Sequence, residues 1–573
     1  MATTLPVVNR QPEFLGSLLD EQQQLSAVES FSRWHDDLDE ETAPAQEKYY
    51  RSLLPASPPG PDQQLAFEVD LDACSGCKAC VVACHTLNGL EEDESWRKVG
   101  TLVIGQVDDE SPSAIQHVTT ACHHCEDPGC LNGCPVKAYD KDPVSGIVRH
   151  LDDQCIGCKY CTMMCPYEVP QYSKRLGIVR KCDMCHQRLS VGEAPACVQS
   201  CPNEAIKIVV TSVGEVPSPD SVLVPSAPRS TITAPTTSYV STRTIDPANT
   251  LPQDVNVDEV AESHWPLALM LVMTQVAVGI LIADSAAWLT LLGANQLGFV
   301  ELAEASLLPL AIAATAFMVA NAGLGIAPLH LGQPLRAWRV FLGLRTSWLS
   351  REAVVLGKFM GVLSLGIGLL ALPLVWDWIP GAIQNVIPTE LIPSWAGRVL
   401  MGLSIPVGLA GLYCSSMIYI ATKRKLWRSE RTLPRFFATT VTSGPIVVAA
   451  IYAAFGFRTT TAALCLISIV AMLWKWKLEN NVYLSESASK EDPYDQRSVR
   501  LVFGPLAAMT RTRAVLFFPA IVLAAMAAIA CPFSSVTAAA FAASSSLFWI
   551  GGEYLERLLY FKSVVFDRMP GTL

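Results

Sequence analysis

Sixteen of the chain's nineteen cysteines fall between Cys74 and Cys201, in four blocks of four. The first block, Cys74, Cys77, Cys80 and Cys84, is spaced C-x2-C-x2-C-x3-C, and the third, Cys155, Cys158, Cys161 and Cys165, repeats that spacing. The second, Cys122, Cys125, Cys130 and Cys134, has four residues in its middle gap, and the fourth, Cys182, Cys185, Cys197 and Cys201, has eleven. Three thiolates on one tight loop reach three irons of a cubane while backbone N–H groups point at its sulfides. The fourth cysteine lies beyond the turn, usually before proline, and ligates the other cluster of a pair. Pro135, Pro166 and Pro202 occupy that place, whereas His85 follows Cys84. Soft thiolate sets suit iron–sulfur clusters or zinc. Zinc ribbons, however, use paired C-x2-C units and not four-cysteine runs repeated four times. Disulfides do not suit a cytoplasmic domain. The chemistry indicated is one-electron transfer by four [4Fe–4S] clusters.

The rest of the chain must hold and connect these blocks. At 573 residues it is too long for one compact domain. Its composition turns near His264 from polar and cysteine-rich to long apolar runs. The net charge of −11 gives a nucleic-acid-binding surface no support. Residues 1–65 form a lead-in in which Phe14, Leu18, Leu25, Val28 and Phe31 trace a loosely amphipathic helix. That helix either docks on the chain's own core or serves as a partner-binding arm. Residues 66–210 form the cluster domain, with strand-like alternation at Phe67–Asp70 and Gly146–Arg149 ahead of two blocks. Residues 211–262, rich in Ser, Thr, Pro and Val, read as an extended linker, part of which can pair at a sheet edge.

Residues 263–573 contain eight apolar spans, beginning near positions 266, 303, 353, 398, 437, 460, 514 and 537. Most approach the ~20 residues that a bilayer requires. The expected architecture is therefore α+β: a ferredoxin-like polyferredoxin domain followed by an all-α polytopic membrane domain of about eight helices. Lys and Arg outside the spans divide twenty to two between alternate loops. By the positive-inside rule both termini and the cluster domain are expected in the cytoplasm, in keeping with a start, MATTLPVVNRQPEF, that shows no export signal.

The stretches CIGCKYCTMMCPYEVPQYSK, RKCDMCHQR, CVQSCPNEAI and CHHCEDPGCLNGCPVKA resemble the iron–sulfur subunit of the dimethyl sulfoxide reductase family over about residues 66–208. LHLGQPLRAWRVFLGLRTSWLSRE, residues 329–352, looks like the loop after the second helix of that family's quinol-oxidising anchor subunit. The chain thus resembles a fusion of two subunits that are usually separate. The resemblance implies that Cys74, Cys77 and Cys80 share a cluster with Cys201, and Cys182, Cys185 and Cys197 one with Cys84. It likewise joins Cys122, Cys125 and Cys130 to Cys165, and Cys155, Cys158 and Cys161 to Cys134. It also implies a separate molybdopterin-containing catalytic partner, since nothing in this chain looks like a molybdopterin-binding domain.

Only His264 and His330 lie in the anchor region, both at span ends, so a haem held by two facing histidines at depth is not expected. His330 is placed to accept a proton from membrane quinol, or simply to cap helix carbonyls; the resemblance favours quinol. Glu352 at the start of the third span and Lys358 one to two turns deeper complete the candidate site, although Lys358 can also snorkel to the interface. Glu553 is a further intramembrane carboxylate, while Cys414, Cys465 and Cys531 read as small packing residues. The expected function is quinol oxidation in the anchor, with electrons passing to the catalytic partner. The alternatives are reverse flow, in which quinone is reduced, and a membrane-bound iron–sulfur redox sensor.

Overall fold

The computed structural model describes residues 47–105, 114–262, 265–296, 307–378, 395–484, 493–566 and 568–572, with Gln384 and Pro393. The lead-in helix expected before residue 47, and His264, lie outside the described residues. The cluster domain is built from ten short strands. They are β1 (Gln63–Asp70), β2 (Lys98–Ile104), β3 (Ala114–Thr120), β4 (Tyr139–Lys141), β5 (Val148–His150), β6 (Gln171–Ser173), β7 (Ile178–Arg180), β8 (Ile206–Ser212), β9 (Ser238–Val240) and β10 (Thr250–Pro252). They form two three-stranded sheets, β8-β1-β9 and β10-β2-β3, and two hairpins, β4-β5 and β6-β7. Val69 and Ile206 pair across β1 and β8, almost fully buried, and β1, the central strand, buries Gln64 to Phe67 in succession.

The segment 211–262 does not stand off as a spacer. Its β9 pairs in parallel with β1 at Glu68–Asp70, and its β10 pairs with β2 at Leu102–Ile104. Thr- and Val-rich chain is suited to that edge pairing.

Four short helices carry cysteines: α1 (Ala79–Leu87), α2 (Gly129–Gly133), α3 (Tyr160–Met164) and α4 (Ala196–Gln199). The first and third blocks have the same backbone. Gly76 and Gly157 turn with φ of +71° and +68°, and Lys78 and Lys159 follow with φ of +62° and +58° before α1 and α3 begin. This left-handed pair folds the C-x2-C loop back so that its thiols converge, and the glycine makes the turn without a Cβ penalty.

The membrane part contains eight long helices among the described residues: α5 (Trp265–Gln296), α6 (Leu308–Ile326), α7 (Trp348–Val375), α8 (Ala396–Ile420), α9 (Ser429–Ala454), α10 (Arg458–Leu484), α12 (Ala507–Ala530) and α13 (Ser535–Lys562). A shorter helix, α11 (Pro493–Phe503), precedes α12. The first seven long helices are long and apolar enough to cross a bilayer, and the chain is a multi-pass membrane protein. The last, α13, has 28 residues but is diluted by Ser and Gly; it packs along α12, α9 and α5. Helices α5 and α9 cross at Gly279 and Gly444, where a Cβ on either would stand within 2.3 Å of the other helix's backbone. Such small residues let membrane helices approach closely.

Candidate electron-transfer and quinol site

All nineteen cysteines are free thiols, and the sixteen of the cluster domain converge in four quartets that draw on different blocks. One cavity is lined by Cys74, Cys77, Cys80 and Cys201. A second is lined by Cys122, Cys125, Cys130 and Cys165, and a third by Cys134, Cys155, Cys158 and Cys161. Cys84, Cys182, Cys185 and Cys197 face one another as the fourth set. Backbone N–H groups point at the sulfurs: Ala138 N donates to Cys134 Sγ at 3.2 Å, Ala205 N to Cys201 Sγ at 3.3 Å and Gly157 N to Cys155 Sγ at 3.4 Å. Burial pushes the Cys84 thiol up to about 12 and Cys134 up to about 11, so metal binding at either must release a proton. Four all-thiol sets with inward N–H donors suit iron–sulfur clusters.

The anchor reaches one quartet directly. The chain leaving α6 ends in a helical turn, Ala327–His330, and then lies against the loops that carry Cys134, Cys155 and Cys158. Gln333 N donates to Ile156 O at 3.0 Å, and Gln333 Nε2 to Leu176 O at 2.8 Å. Arg336 Nη1 donates to Cys155 O at 3.2 Å. Gly343 N donates to Pro135 O at 2.7 Å, and Ser347 Oγ to Gly133 O at 2.7 Å. Contact this close is possible because three glycines meet. A Cβ on Gly332 would stand 2.0 Å from Gly177 O, and one on Gly157 would stand 2.2 Å from the same oxygen.

His330 lies two residues before Gly332, the glycine packed against Gly177 beside the Cys134–Cys155–Cys158–Cys161 quartet. Its Nδ1 is against Ala327 O, the helix-end contact expected of a capping histidine, and the ring is half-buried. Glu352, in the first turns of α7, is 4% exposed and accepts a 2.5 Å hydrogen bond from Ser415 Oγ of α8. Ser350, two residues before it, donates to Pro135 O at 3.3 Å, which ties the start of α7 to the loop after Cys134. Lys358 is not brought to this site: its side chain is exposed, on a face of α7 other than the one Glu352 buries.

Tyr160, which spacing alone does not single out, links the two halves. It sits between Cys158 and Cys161, is 2% exposed, and donates from its hydroxyl to Ile418 O of α8 at 3.0 Å. Burial raises its phenol far above the ordinary value, with Cys158 and then Glu352 adding to the rise, which places both within electrostatic reach. The only hint in the sequence is a large aromatic inside a cluster loop, where small residues would suffice.

A second ionic centre lies inside the helix bundle. Lys475 of α10 contacts Glu479 at 3.2 Å and also Glu553 of α13. Arg513 of α12 pairs with Glu479, and Arg435 of α9 with Glu556 at 2.9 Å. Arg557 Nη2 donates to Gln275 Oε1 of α5 at 3.2 Å. The three carboxylates lie within 4.8 Å of one another, but four basic side chains surround them and outweigh a metal ion as counter-charge. This centre clamps five helices together, and Glu553 belongs to it and not to the edge beside the cluster domain where Glu352 sits.

Comparison with known proteins agrees with both halves. Residues 260–562 match the family model of the DMSO reductase anchor subunit (DmsC), and residues 113–211 match a 4Fe-4S dicluster domain. The B subunit of the anaerobic dimethyl sulfoxide reductase of Escherichia coli K12 is 38% identical over 148 residues, which cover 25% of this chain and 72% of that subunit. The corresponding subunit of Haemophilus influenzae is 35% identical over 150 residues, covering 25% and 73%. The iron–sulfur subunit of the nitrate-inducible formate dehydrogenase of E. coli K12 is 37% identical over 157 residues, covering 25% and 53%. This chain therefore belongs to the dimethyl sulfoxide reductase family, with the iron–sulfur electron-transfer part and the DmsC-type membrane anchor joined in one polypeptide.

Proposed function

We propose that the chain oxidises membrane quinol beside His330 and Glu352 and hands the electrons to a separate molybdopterin-containing catalytic chain. The observation that carries this reading is the docking of residues 331–350 on the loops of a single quartet, with both candidate proton acceptors two residues from that contact. Quinol becomes quinone by losing two electrons and two protons. Glu352 takes a proton at a carboxylate oxygen, oriented by the Ser415 hydroxyl, and His330 takes one at its imidazole. The buried apolar cluster around Tyr160, with Ile418 and Tyr419 of α8, would favour a dry path from quinol to the nearest cysteines.

The four quartets would hold four [4Fe–4S] clusters, which supply a one-electron relay across the domain. The exit lies at the Cys74–Cys77–Cys80–Cys201 quartet, where Cys77 is exposed and Val82 nearby is 64% exposed, a face suited to a protein partner. The twenty-to-two charge division supports a cytoplasmic cluster domain.

The test is quinol-driven reduction of the purified full chain, followed by low-temperature EPR. Glu352→Gln keeps the Ser415 hydrogen bond but not the proton acceptor, so reduction by quinol should slow at least tenfold while reduction by dithionite is unchanged. Equal quinol rates in the variant and the parent protein would remove Glu352 from the reading. Cluster potentials well above the quinone couple support flow from quinol; potentials below it would reverse the direction.

A further inference from the structure

Two buried cations sit where quartets meet, and neither has a carboxylate partner. Arg97, just before β2, and Lys181, just after β7, are each 2% exposed. Among the described residues, no acidic oxygen lies within ion-pair distance of either. Arg97 Nη1 donates to Thr119 Oγ1 at 3.2 Å, and that hydroxyl is 3.5 Å from Cys80 Sγ. The Arg97 guanidinium lies 4.7 Å over the Phe67 ring, and its Nη2 has no hydrogen-bond partner. Burial works against its charge, and the groups that favour it are Cys197, Cys80, Cys182 and Cys84, drawn from two different quartets.

Lys181 Nζ contacts Cys122 Sγ at 3.6 Å and donates to Cys182 O at 2.8 Å and to Val148 O. Its charge is favoured by Cys122 and Cys130 on one side and by Cys182 on the other, with Asp183 adding less from beyond ion-pair distance. Burying a charge without a counter-charge is strongly unfavourable. Here the counter-charge comes chiefly from the thiolates of loaded quartets, since four thiolates leave each cubane net negative.

We propose that Arg97 and Lys181 are the buried counter-ions of the quartets they separate and raise the reduction potentials there. The proposal rests on the four-cluster reading above. Each cation favours the more negative, reduced state of its neighbours, and at an effective dielectric of about 20 a unit charge a few ångströms away changes such an equilibrium by more than tenfold. Arg97 acts on the Cys74–Cys77–Cys80–Cys201 and Cys84–Cys182–Cys185–Cys197 quartets. Lys181 acts on the latter and on Cys122–Cys125–Cys130–Cys165. The quartet against the anchor, Cys134–Cys155–Cys158–Cys161, is touched by neither.

The test is an EPR-monitored redox titration of the full chain in detergent, with iron and acid-labile sulfide measured on the same samples. Arg97→Gln and Lys181→Gln should each lower two midpoint potentials by a tenfold change in equilibrium, about 59 mV for a one-electron couple. One signal should shift in both variants, two in one variant each, and one in neither. Arg97→Lys and Lys181→Arg keep the charge and should hold the parent potentials. Unchanged potentials in the glutamine variants would overturn the proposal, as would equal shifts in the charge-keeping pair. Iron loss in the glutamine variants without a shift in the remaining signals would make the cations assembly elements and overturn it too. Iron short of four clusters in the parent protein would instead overturn the reading on which the proposal rests.

Discussion

Gly332→Ala adds one methyl carbon where the anchor loop meets the cluster loops. That carbon would stand 2.0 Å from Gly177 O, 2.5 Å from Gly177 C and 2.7 Å from the Tyr172 hydroxyl, against an ordinary contact of 3.4 Å or more. Gly177 is fixed at the turn of the β6-β7 hairpin, with φ of +66° and its N–H bonded to Ser173 O at 2.9 Å, so it cannot easily retreat. The loop after α6 must therefore back away by more than ~1 Å, at an overpacking cost of about 1–3 kcal/mol. The retreat pulls Gln333 from Ile156 O and Leu176 O and carries His330 with it. A displacement of ~1 Å at a reacting geometry slows reaction by about 10²-fold. The assay is stopped-flow reduction of the clusters by a quinol analogue, with dithionite reduction and iron content as controls. Gly325→Ala serves as the matched control, since a Cβ there meets nothing within 4 Å. Gly332→Ala should slow cluster reduction by quinol about 10²-fold with full iron content, and Gly325→Ala should not. Equal rates in the two variants would refute the argument that this contact positions the quinol site.

The ionic centre in the bundle predicts a stability effect instead of a catalytic one. Lys475→Met leaves Glu553 without its cation, while Glu479 keeps Arg513, at a cost of ~3–5 kcal/mol. Thermal unfolding in detergent should show a clear drop in Tm with cluster reduction by quinol intact at low temperature, and an unchanged Tm would sink the assignment. Asp258 in the segment before the membrane part is bonded by Arg500 and Arg497 of α11 at 2.6 and 2.9 Å. Burial pushes its carboxyl up, but the two guanidiniums outweigh that and leave it below the ordinary value near 3.8. A depressed carboxyl contributes stability above its unfolded pKa and loses it as pH falls through the folded one, so proteolysis of residues 253–262 should accelerate below about pH 4. Asp258→Asn should show that faster cleavage already at pH 7, and a flat pH profile in the parent chain would contradict the pairing.

Cysteine spacing makes the four blocks legible because ligand geometry constrains local sequence, most visibly in the Gly-Cys-Lys turn shared by the first and third blocks. The exchange of the fourth cysteine between blocks is a long-range pairing that spacing cannot state; only the family resemblance implies it. His330 and Glu352 are visible as ionisable residues at span ends, where membrane helices rarely tolerate them. Lys358 has the same chemistry but faces outward, a difference of helical rotation that one residue's position does not reveal. The Gly157–Gly177–Gly332 contact is invisible in the sequence, and Tyr160 is hinted at only by its size, because both depend on two distant segments meeting. The composition of 211–262 is that of a linker, yet short Thr- and Val-containing strands at sheet edges look alike whether or not they find a partner.

The joined polypeptide invites the question of what the covalent connection contributes. A protease site placed at 215–218, where Val216 is 92% exposed, cuts the chain between β8 and β9. The two products still share the β1–β9 and β2–β10 pairings, the loop 331–350 contacts and the C-terminal tail. That tail returns to the cluster domain: Met569 is 1% exposed among Val69, Leu102 and Val118, and Pro570 O abuts Gly100. Each backbone hydrogen bond contributes only about 0.5–1.5 kcal/mol, but strands, loop and tail together supply many, and burying one methionine adds about 1.5–3 kcal/mol. The halves should therefore stay associated through gel filtration after cutting and keep parent rates of cluster reduction by quinol. Adding Met569→Asp to the cut chain places a charge in an apolar pocket and should release the cluster domain. If the cut alone releases it, the contacts are too weak to hold the relay against the anchor, and the covalent tether, by keeping the local concentration roughly millimolar, is what maintains the path from quinol to the first cysteine quartet.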